Sequence, residues 1–424
     1  MRKSKLKITI CSHDGKNYFG GPYEWVKRFG PALKKAGVEV SFLFFSDHQQ
    51  KDSTTYTYLC ALGFNCRLLP HHSFLQFTDT TEDRVKWCLK EVKQNPPDIF
   101  IANSSLPALF AGKWIKESGI PVIGVLHTDD ERFQWLQEEF LSASKEFSLS
   151  ALVCVSELLK EKVAVHNAFH VPLEVISCGT PIPSFLKSKS ISPIKLVYAG
   201  KLTEEAKQIS LLTKAFCTVV KEVKGVEAYI YGDGPAKEDV LAIIEQEAKG
   251  LPVYYKGFVP SEEIQERITD KHIIVLLSDY EGLPIVLMEA MACGLVPVCL
   301  AIRSGIPELV KDGETGLLVL DRDEDFTSAI ERLAENAVLF HALSINARHF
   351  VTQHHSMEVV VKKWLVLCDQ LLSSSSENKS IDVPARLELP VVNSRLEGID
   401  QRKPLLMQYV KQQLARGINL LKRM

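Results

Sequence analysis

Short runs of β-branched and aromatic residues alternate with helix-period segments along most of this 424-residue chain, and the alternation starts twice. KITIC (7–11), VEVSFLFF (38–45), DIFIAN (98–103), PVIGVLH (121–127) and ALVCVS (151–156) read as a first set of strands. After Pro193 a second set begins with IKLVYAG (194–200), VEAYIYGDG (226–234), VYYKGF (253–258) and HIIVLLS (272–278). Amphipathic stretches such as 211–223 and 262–269 follow individual strands. Apolar strands separated by helices predict parallel sheets covered on both faces, an α/β fold. The polar, serine-rich LKSKSISP (186–193) reads as a linker between two such domains. Two facing sheets of this kind are expected to bind ligands in the cleft between them, at the carboxyl ends of the strands.

The length exceeds one ordinary core and suits two domains with an appendage. A formal net charge of −2 gives no overall attraction to nucleic acid or anionic membrane, and no nucleic-acid partner is expected. The ten cysteines are scattered without any CxxC, as buried small hydrophobes in a reducing compartment would be. The apolar run 8–11 is too short for a signal segment, and no run reaches eighteen apolar residues. The expected location is cytoplasmic, with peripheral membrane contact open because of the tail. After SSSSENKS (373–380), residues 401–424 carry Arg402, Lys403, Lys411, Arg416, Lys422 and Arg423 and no acid. Leu406, Val410, Leu414, Ile418 and Leu421 fall near one helical face there. A basic amphipathic helix of this kind suits a membrane surface, a partner's groove or its own domain.

The segment SDYEGLPIVLMEAMACG (278–294) sets Glu289 inside an apolar run, with Glu281 eight residues earlier in a Gly/Pro-rich turn. A buried carboxylate needs a partner, because losing its hydration is costly. Residues 283–293 are predicted to form a helix with Pro284 in its first turn. Gly282 leaves the first-turn N–H groups approachable, which makes an anion site. Eight helical residues span about 12 Å, whereas glycosidase acid/base carboxylates stand roughly 5–9.5 Å apart. The two glutamates therefore suit the two ends of an elongated ligand with phosphates in its middle, the shape of a nucleotide sugar.

This E-x7-E pair, within EGLPIVLMEAMACGLVPV, resembles the signature of the retaining glycosyltransferases of family 4. The resemblance extends from about residue 5 to residue 370. It implies the GT-B architecture, two facing Rossmann-like, doubly wound parallel-sheet domains with a cleft between them. The implied domains are 1–187 on the acceptor side and 194–355 on the donor side. A helix over 356–372 would return to the first domain, followed by the tail 373–424. By the same resemblance Glu281 contacts the donor sugar and Glu289 the ribose, next to Gly282, Leu283 and Pro284. VYAGKLTEEAKQIS (197–210) is similar to the family's diphosphate clamp, with Lys201 standing where arginine is usual and Lys207 second. Lys201 keeps the charge but loses the bidentate fork of a guanidinium.

Gly20 and Gly21 match the family's glycine-rich loop before the first long helix, and the preceding SHDGKNYF (12–19) would face the acceptor. His127 matches the histidine that points at the donor sugar, where it would donate a hydrogen bond or offset charge. VISCGTPIP (175–183) departs from the pattern at Cys178, and SGIPELVKDGETGLLV (304–319) departs at Ser304. YGDGP (231–235) matches a turn of the second domain, and in YKGFVP (255–260) Phe258 and Val259 are candidate contacts to the base. Each element alone has a plainer reading, as solvated lysines, a turn or a structural histidine. Their order along the chain carries the assignment.

The implied activity is retaining transfer of a sugar from a nucleotide-diphospho-sugar to a glycan, lipid or other hydroxyl acceptor, in cell-envelope or polysaccharide biosynthesis. No cofactor and no metal are expected. Asp321-Arg322-Asp323 spells an Asp-x-Asp string, but it reads as a solvated helix start. His71-His72 and His354-His355 lack metal-ligand spacing. A competing reading is a non-catalytic nucleotide-sugar or glycan sensor, suggested by Lys201, Cys178, Ser304 and the basic tail. A nicotinamide dehydrogenase is disfavoured, since no G-x-G-x-x-G follows the first strand of either domain. Deleting residues 401–424 is expected to lower co-sedimentation with anionic liposomes; unchanged association would remove the membrane reading of the tail.

Overall fold

A computed structural model describes residues 5–14, 20–46, 53–69, 80–128, 139–184, 191–374, 380–391, 396, 400 and 402. Residues 15–19 of the expected acceptor loop, most of the linker and serine-rich tract, His71, His72 and nearly all of 401–424 lie outside them. The strands are β1 (Lys7–Asp14), β2 (Glu39–Ser46), β3 (Asn65–Leu68), β4 (Ile99–Asn103), β5 (Val122–Leu126), β6 (Ala151–Cys154) and β7 (Leu173–Val175). They continue with β8 (Ile194–Ala199), β9 (Val226–Tyr231), β10 (Val253–Gly257), β11 (Ile273–Leu276), β12 (Val296–Leu300) and β13 (Leu317–Val319). The α-helices are α1 (Gly21–Lys35), α2 (Thr54–Ala61), α3 (Thr81–Gln94), α4 (Leu106–Glu117), α5 (Glu157–Ala164), α6 (Ile209–Glu222) and α7 (Lys237–Glu247). After them come α8 (Ile264–Ile268), α9 (Ile285–Ala292), α10 (Ile306–Leu309), α11 (Glu324–Glu335), α12 (Ala337–His355) and α13 (Met357–Ser373).

Two compact units result. The first holds Met1–Val155, Leu159–Ile176 and Val361–Met424; the second holds Ser156–Leu158 and Ser177–Val360. The division falls at Ile176, ahead of the linker-like stretch that set the expected boundary at 187. The cause is hydrogen bonding of 177–183 within the second unit. Thr180 donates its N–H to the His355 carbonyl at 2.9 Å, Arg348 Nη2 reaches the Pro183 carbonyl at 2.7 Å, and Gln265 Nε2 reaches Pro181 at 2.9 Å. The helix α13 opens in the second unit and belongs to the first from Val361 onward.

Each unit is built on one parallel sheet, ordered β3-β2-β1-β4-β5-β6-β7 in the first and β10-β9-β8-β11-β12-β13 in the second. Every residue of β4, β5, β11 and β12 is buried, as strands covered on both faces must be. The edge strands β3 and β10 instead alternate half-buried and exposed residues, apart from the buried Val253 that starts β10. In both sheets the order reverses between the unit's first strand and a later one, β1 beside β4 and β8 beside β11. Such a reversal opens a crevice at the carboxyl ends of the two strands, because the helices following them leave in opposite directions.

In the first unit, α1 and α13 meet through aromatic rings. Trp364 lies 5.0 Å from Phe29 and 5.7 Å from Trp25, and all three are almost wholly buried. The Trp364 indole N–H has no hydrogen-bond partner among the described residues, so this contact stabilises by apolar burial and ring packing alone. Trp364→Ala is expected to cost about 3–5 kcal/mol, read as a fall in the denaturant midpoint. Trp364→Phe, which keeps a ring and removes the unpartnered donor, should cost far less.

Candidate functional site

The reversal between β8 and β11 sets side by side two loops that carry several of the residues singled out by sequence in the second unit. The loop after β8 carries Lys201 and Lys207, and the turn after β11 carries Glu281 and Gly282. Lys207 Nζ donates to Glu281 Oε1, and Ser278 Oγ is 2.8 Å from the same oxygen. The lysine and glutamate side chains are only 22% and 10% exposed, so neither charge is well hydrated without the other. Burial and the neighbouring negative charge of Glu281 both push the Tyr198 phenol and the Cys299 thiol upward, keeping them neutral. Tyr198 uses its retained proton to donate to the Lys201 carbonyl at 2.8 Å, which pins the turn at Gly200.

Backbone packing defines the crevice floor. A Cβ on Gly232 would stand 1.9 Å from the Gly200 carbonyl oxygen, and one on Gly234 would stand 2.3 Å from that of Leu202. Both glycines also have positive φ, so the YGDGP turn is obligatory for steric and conformational reasons. A Cβ on Gly305 would meet the Gly282 carbonyl oxygen at 1.7 Å, and the Gly305 N–H donates to the Glu281 backbone carbonyl at 3.3 Å. The substitution read from sequence at Ser304 is accommodated differently: its Oγ accepts from Ile306 N–H at 3.1 Å, at the start of α10.

The helix α9 begins at Ile285, so Pro284 is its N-cap, in extended conformation, and not a first-turn residue as predicted. A proline's fixed φ is compatible with both positions, which is why the pattern alone does not separate them. The Pro284 carbonyl accepts from Leu287 at 3.2 Å and from Met288 at 3.4 Å, and the remaining first-turn N–H groups face the N-terminal end of the helix, as helix geometry requires. Glu289 lies in the second turn, 4% exposed, and Leu283 is buried before the helix. At the other end, Arg348 Nη1 donates to the Ala292 carbonyl and compensates the last turn. Phe258 and Val259 follow the edge strand β10, with Phe258 47% exposed. Lys201 is exposed on its loop.

In the first unit, the reversal between β1 and β4 is flanked by the N-terminus of α1, which Gly20 and Gly21 begin. Gly20 has φ 145, and its carbonyl accepts from Tyr23 and Glu24 at 3.1 Å. His127, just past β5, is 6% exposed and packs 5.3 Å from the Trp25 ring. Its Nε2 lies 2.7 Å from Asn103 Oδ1 at the end of β4. The Asn103 amide is oriented by its Nδ2, which donates to the Pro22 carbonyl at 3.2 Å and to Ser12 Oγ at 3.1 Å. Asn103 therefore presents an acceptor, His127 carries its proton on Nε2, and Nδ1 is the accepting nitrogen. Burial pushes the imidazole pKa down to about 3, so it is neutral across the physiological range.

Asn103, Ser278 and Tyr198 were not reached by sequence reasoning. Asn103 is legible in retrospect as the one polar residue ending the apolar run DIFIAN; Ser278 and Tyr198 carry no comparable signal. Asp321 Oδ1 accepts N–H groups of Asp323 at 2.9 Å and Asp325 at 3.1 Å, so the Asp-x-Asp string serves the start of α11.

Among the described residues no helix is long and apolar enough to cross a membrane. Residues 186–350 match the family model Glycosyl transferases group 1, and residues 19–182 match Glycosyltransferase Family 4. The poly(ribitol-phosphate) alpha-N-acetylglucosaminyltransferase of Staphylococcus aureus is 30% identical over 283 residues, 66% of this chain and 56% of that protein. The amylovoran biosynthesis glycosyltransferase AmsK of Erwinia amylovora is 28% identical over 248 residues, 55% of this chain and 60% of its own. The chain thus spans little more than half the length of these relatives. Among solved structures, Anabaena HepE in complex with UDP superposes with a TM-score of 0.69 at 16% identity, covering 86% of this chain and all 100% of that one. Sucrose-phosphate synthase of Thermosynechococcus elongatus gives 0.69 at 18% identity, covering 88% and 100%. These likenesses establish the GT-B fold, and with both family models matched in order, the chain belongs to the family 4, group 1 glycosyltransferases.

Proposed function

We propose that the protein is a retaining glycosyltransferase that moves a sugar from a nucleotide-diphospho-sugar to a hydroxyl acceptor, a glycan or a lipid-linked glycan, in cell-envelope or polysaccharide biosynthesis. The observation that carries this reading is the half-buried Lys207–Glu281 pair at the β8/β11 reversal, next to the start of α9. A cation, a carboxylate and a helix N-terminus at one crevice match a ligand that joins an anion to a polyhydroxyl group. In this reading Lys207, with Lys201, takes the diphosphate, and the first-turn N–H groups beyond Gly282, Leu283 and Pro284 share its charge. Glu281 then accepts from hydroxyls of the donor sugar, and Glu289 from those of the ribose. Phe258 and Val259 lie against the base. The relatives' names, a poly(ribitol-phosphate) alpha-N-acetylglucosaminyltransferase and an amylovoran biosynthesis glycosyltransferase, support an acceptor on a biosynthetic polymer. HepE, solved with UDP, supports the donor class.

The chemistry is departure of a nucleoside diphosphate from the anomeric carbon while an acceptor hydroxyl oxygen bonds to it and its proton passes to the departing diphosphate oxygen. Lys207 and the α9 start offset the negative charge that develops on the leaving group, and they do so without reorganising, because the crevice already holds them in place. Retention is assigned to attack of the acceptor on the face from which the diphosphate leaves. Gly20 and Gly21 allow a substrate close to the backbone, and His127, held by Asn103, is the histidine that the family resemblance assigns to the donor sugar. A neutral imidazole contributes no positive charge, so charge offset belongs to the lysines.

Nucleoside diphosphate release measured across UDP-, GDP-, ADP- and dTDP-sugars tests this reading. One donor is expected to turn over, with Glu281→Ala and Lys207→Ala each lowering the rate by about 10²-fold or more. Donor binding without turnover for any sugar would instead favour the sensor reading. A separate expectation concerns acid. The folded-state pKa of His127, about 3, lies below its unfolded value, so the unfolded chain binds the proton first and stability falls as pH drops below about 6.5. Between pH 6 and 4 the loss attributable to His127 is about 1.4 kcal/mol per unit. His127→Gln should flatten the pH dependence of the denaturation midpoint by that amount; parallel curves would contradict the neutral imidazole.

A further inference from the structure

Arg322 is the middle residue of the Asp321-Arg322-Asp323 string, and no part of the donor reading uses it. Its Nε donates to the Leu277 carbonyl at 3.0 Å, and its Nη2 donates to Asp279 Oδ1. The other carboxylate oxygen, Asp279 Oδ2, accepts from Gln208 Nε2 at 2.7 Å. The Asp279 N–H donates to the Ala206 carbonyl at 2.8 Å. One aspartate thus ties three segments together: the loop after β8, the turn after β11 and the loop after β13.

Gln208 is the neighbour of Lys207 and is held at φ 47, ψ 48, a left-handed conformation unusual for a residue with a Cβ. Such a conformation persists only where the surroundings over-determine it, and clusters of that kind mark sites where geometry matters. Here the surroundings are explicit. Gln208 precedes α6, whose first turn is closed by Glu204: its Oε1 accepts from Ser210 N–H at 3.1 Å and from Ser210 Oγ at 2.7 Å. On its other side the Gln208 amide is drawn to Asp279. The left-handed residue directly follows Lys207, whose Nζ donates to Glu281, so the backbone that carries the lysine is fixed where the lysine stem begins.

We propose that Arg322, Asp279 and Gln208 form a clamp that positions Lys207 for the diphosphate. The clamp rests on the donor reading above and adds residues that touch no ligand. Lysine has four rotatable bonds and is a point charge without intrinsic direction, so its placement depends on a fixed backbone. Arg322, 43 residues beyond Asp279 in the chain, supplies that fixity by gripping the carbonyl just past β11 and the aspartate two residues later with one planar guanidinium.

Titration calorimetry of the full chain with UDP, GDP, ADP and dTDP, alongside thermal melts, tests the clamp. The informative variant is Gln208→Gly. Glycine is at ease in the left-handed region, so the melting temperature should hold or rise, yet the tie to Asp279 is gone. Affinity for the best nucleoside diphosphate is expected to fall about tenfold. Asp279→Ala and Arg322→Lys should weaken binding similarly, because an ammonium cannot reach both Leu277 and Asp279 in fork geometry. Asp279→Asn should recover most of what Asp279→Ala loses: its Oδ1 still takes Arg322, and its Nδ2 donates to a flipped Gln208 amide. Wild-type affinity in Gln208→Gly, or affinity that merely follows melting temperature through the series, would overturn the clamp. Lys207→Ala separates the two levels. If it loses affinity while Gln208→Gly does not, only the clamp fails. If it binds as wild type does, or if the wild type binds none of the four, the donor reading fails and takes the clamp with it.

Discussion

An ammonium and a carboxylate that share little water organise the second unit. Lys207 and Glu281 come from loops 74 residues apart in sequence, and each is partly desolvated and carries the opposite charge that the other needs. Removing one leaves the other's charge stranded, which makes the pair far more demanding than an exposed salt bridge. Much of the surrounding structure serves that demand. The parallel order of the sheet puts β8 beside β11, so that loops distant in sequence become neighbours. Glycine contacts bring the loop backbones together, and Tyr198, Ser278 and Glu204 fix the turns that present the two charges.

The first unit solves a comparable problem with neutral groups. Its reversal between β1 and β4 leads to an amide and an imidazole, Asn103 and His127, whose orientation is settled by the Pro22 carbonyl. Trp25 covers the imidazole and links it to the aromatic cluster that α13 completes. Burial that would be prohibitive for a cation is tolerable for a neutral ring with its N–H satisfied, and the depressed pKa is the record of that choice. The two crevices therefore offer different chemistry, ionic in one sheet and neutral in the other.

Much of this is visible in the amino-acid order. Buried parallel strands are apolar along nearly their whole length, so β4, β5 and β11 stand out; β3 and β7 are short, with half-exposed edge patterns, and do not. The strand β12 is hidden for another reason: it contains Pro297, which lacks a ladder donor yet pairs opposite Ile274 in a fully buried strand. Glu281, Glu289 and Lys207 are legible because charge in an apolar or glycine-rich setting needs explaining. The positioning groups are not, since Asn103, Ser278, Gln208 and Arg322 acquire their meaning only from partners distant in sequence. A motif records what touches a ligand more readily than what holds the motif still.

The contact between Gly305 and the Gly282 carbonyl has a consequence for the history and redesign of such a site. With 1.7 Å available to a side chain's first carbon, position 305 is closed to every other amino acid unless the Glu281 turn moves. Positions 232 and 234 are closed in the same way by Gly200 and Leu202. The crevice floor is thus a fixed frame, through which drift and selection have no single-step path. Variation has to enter through the side chains that stand on the frame, such as exposed Lys201 and Phe258, where exchange costs the fold little. New specificities would then arise by redecorating the frame's rim.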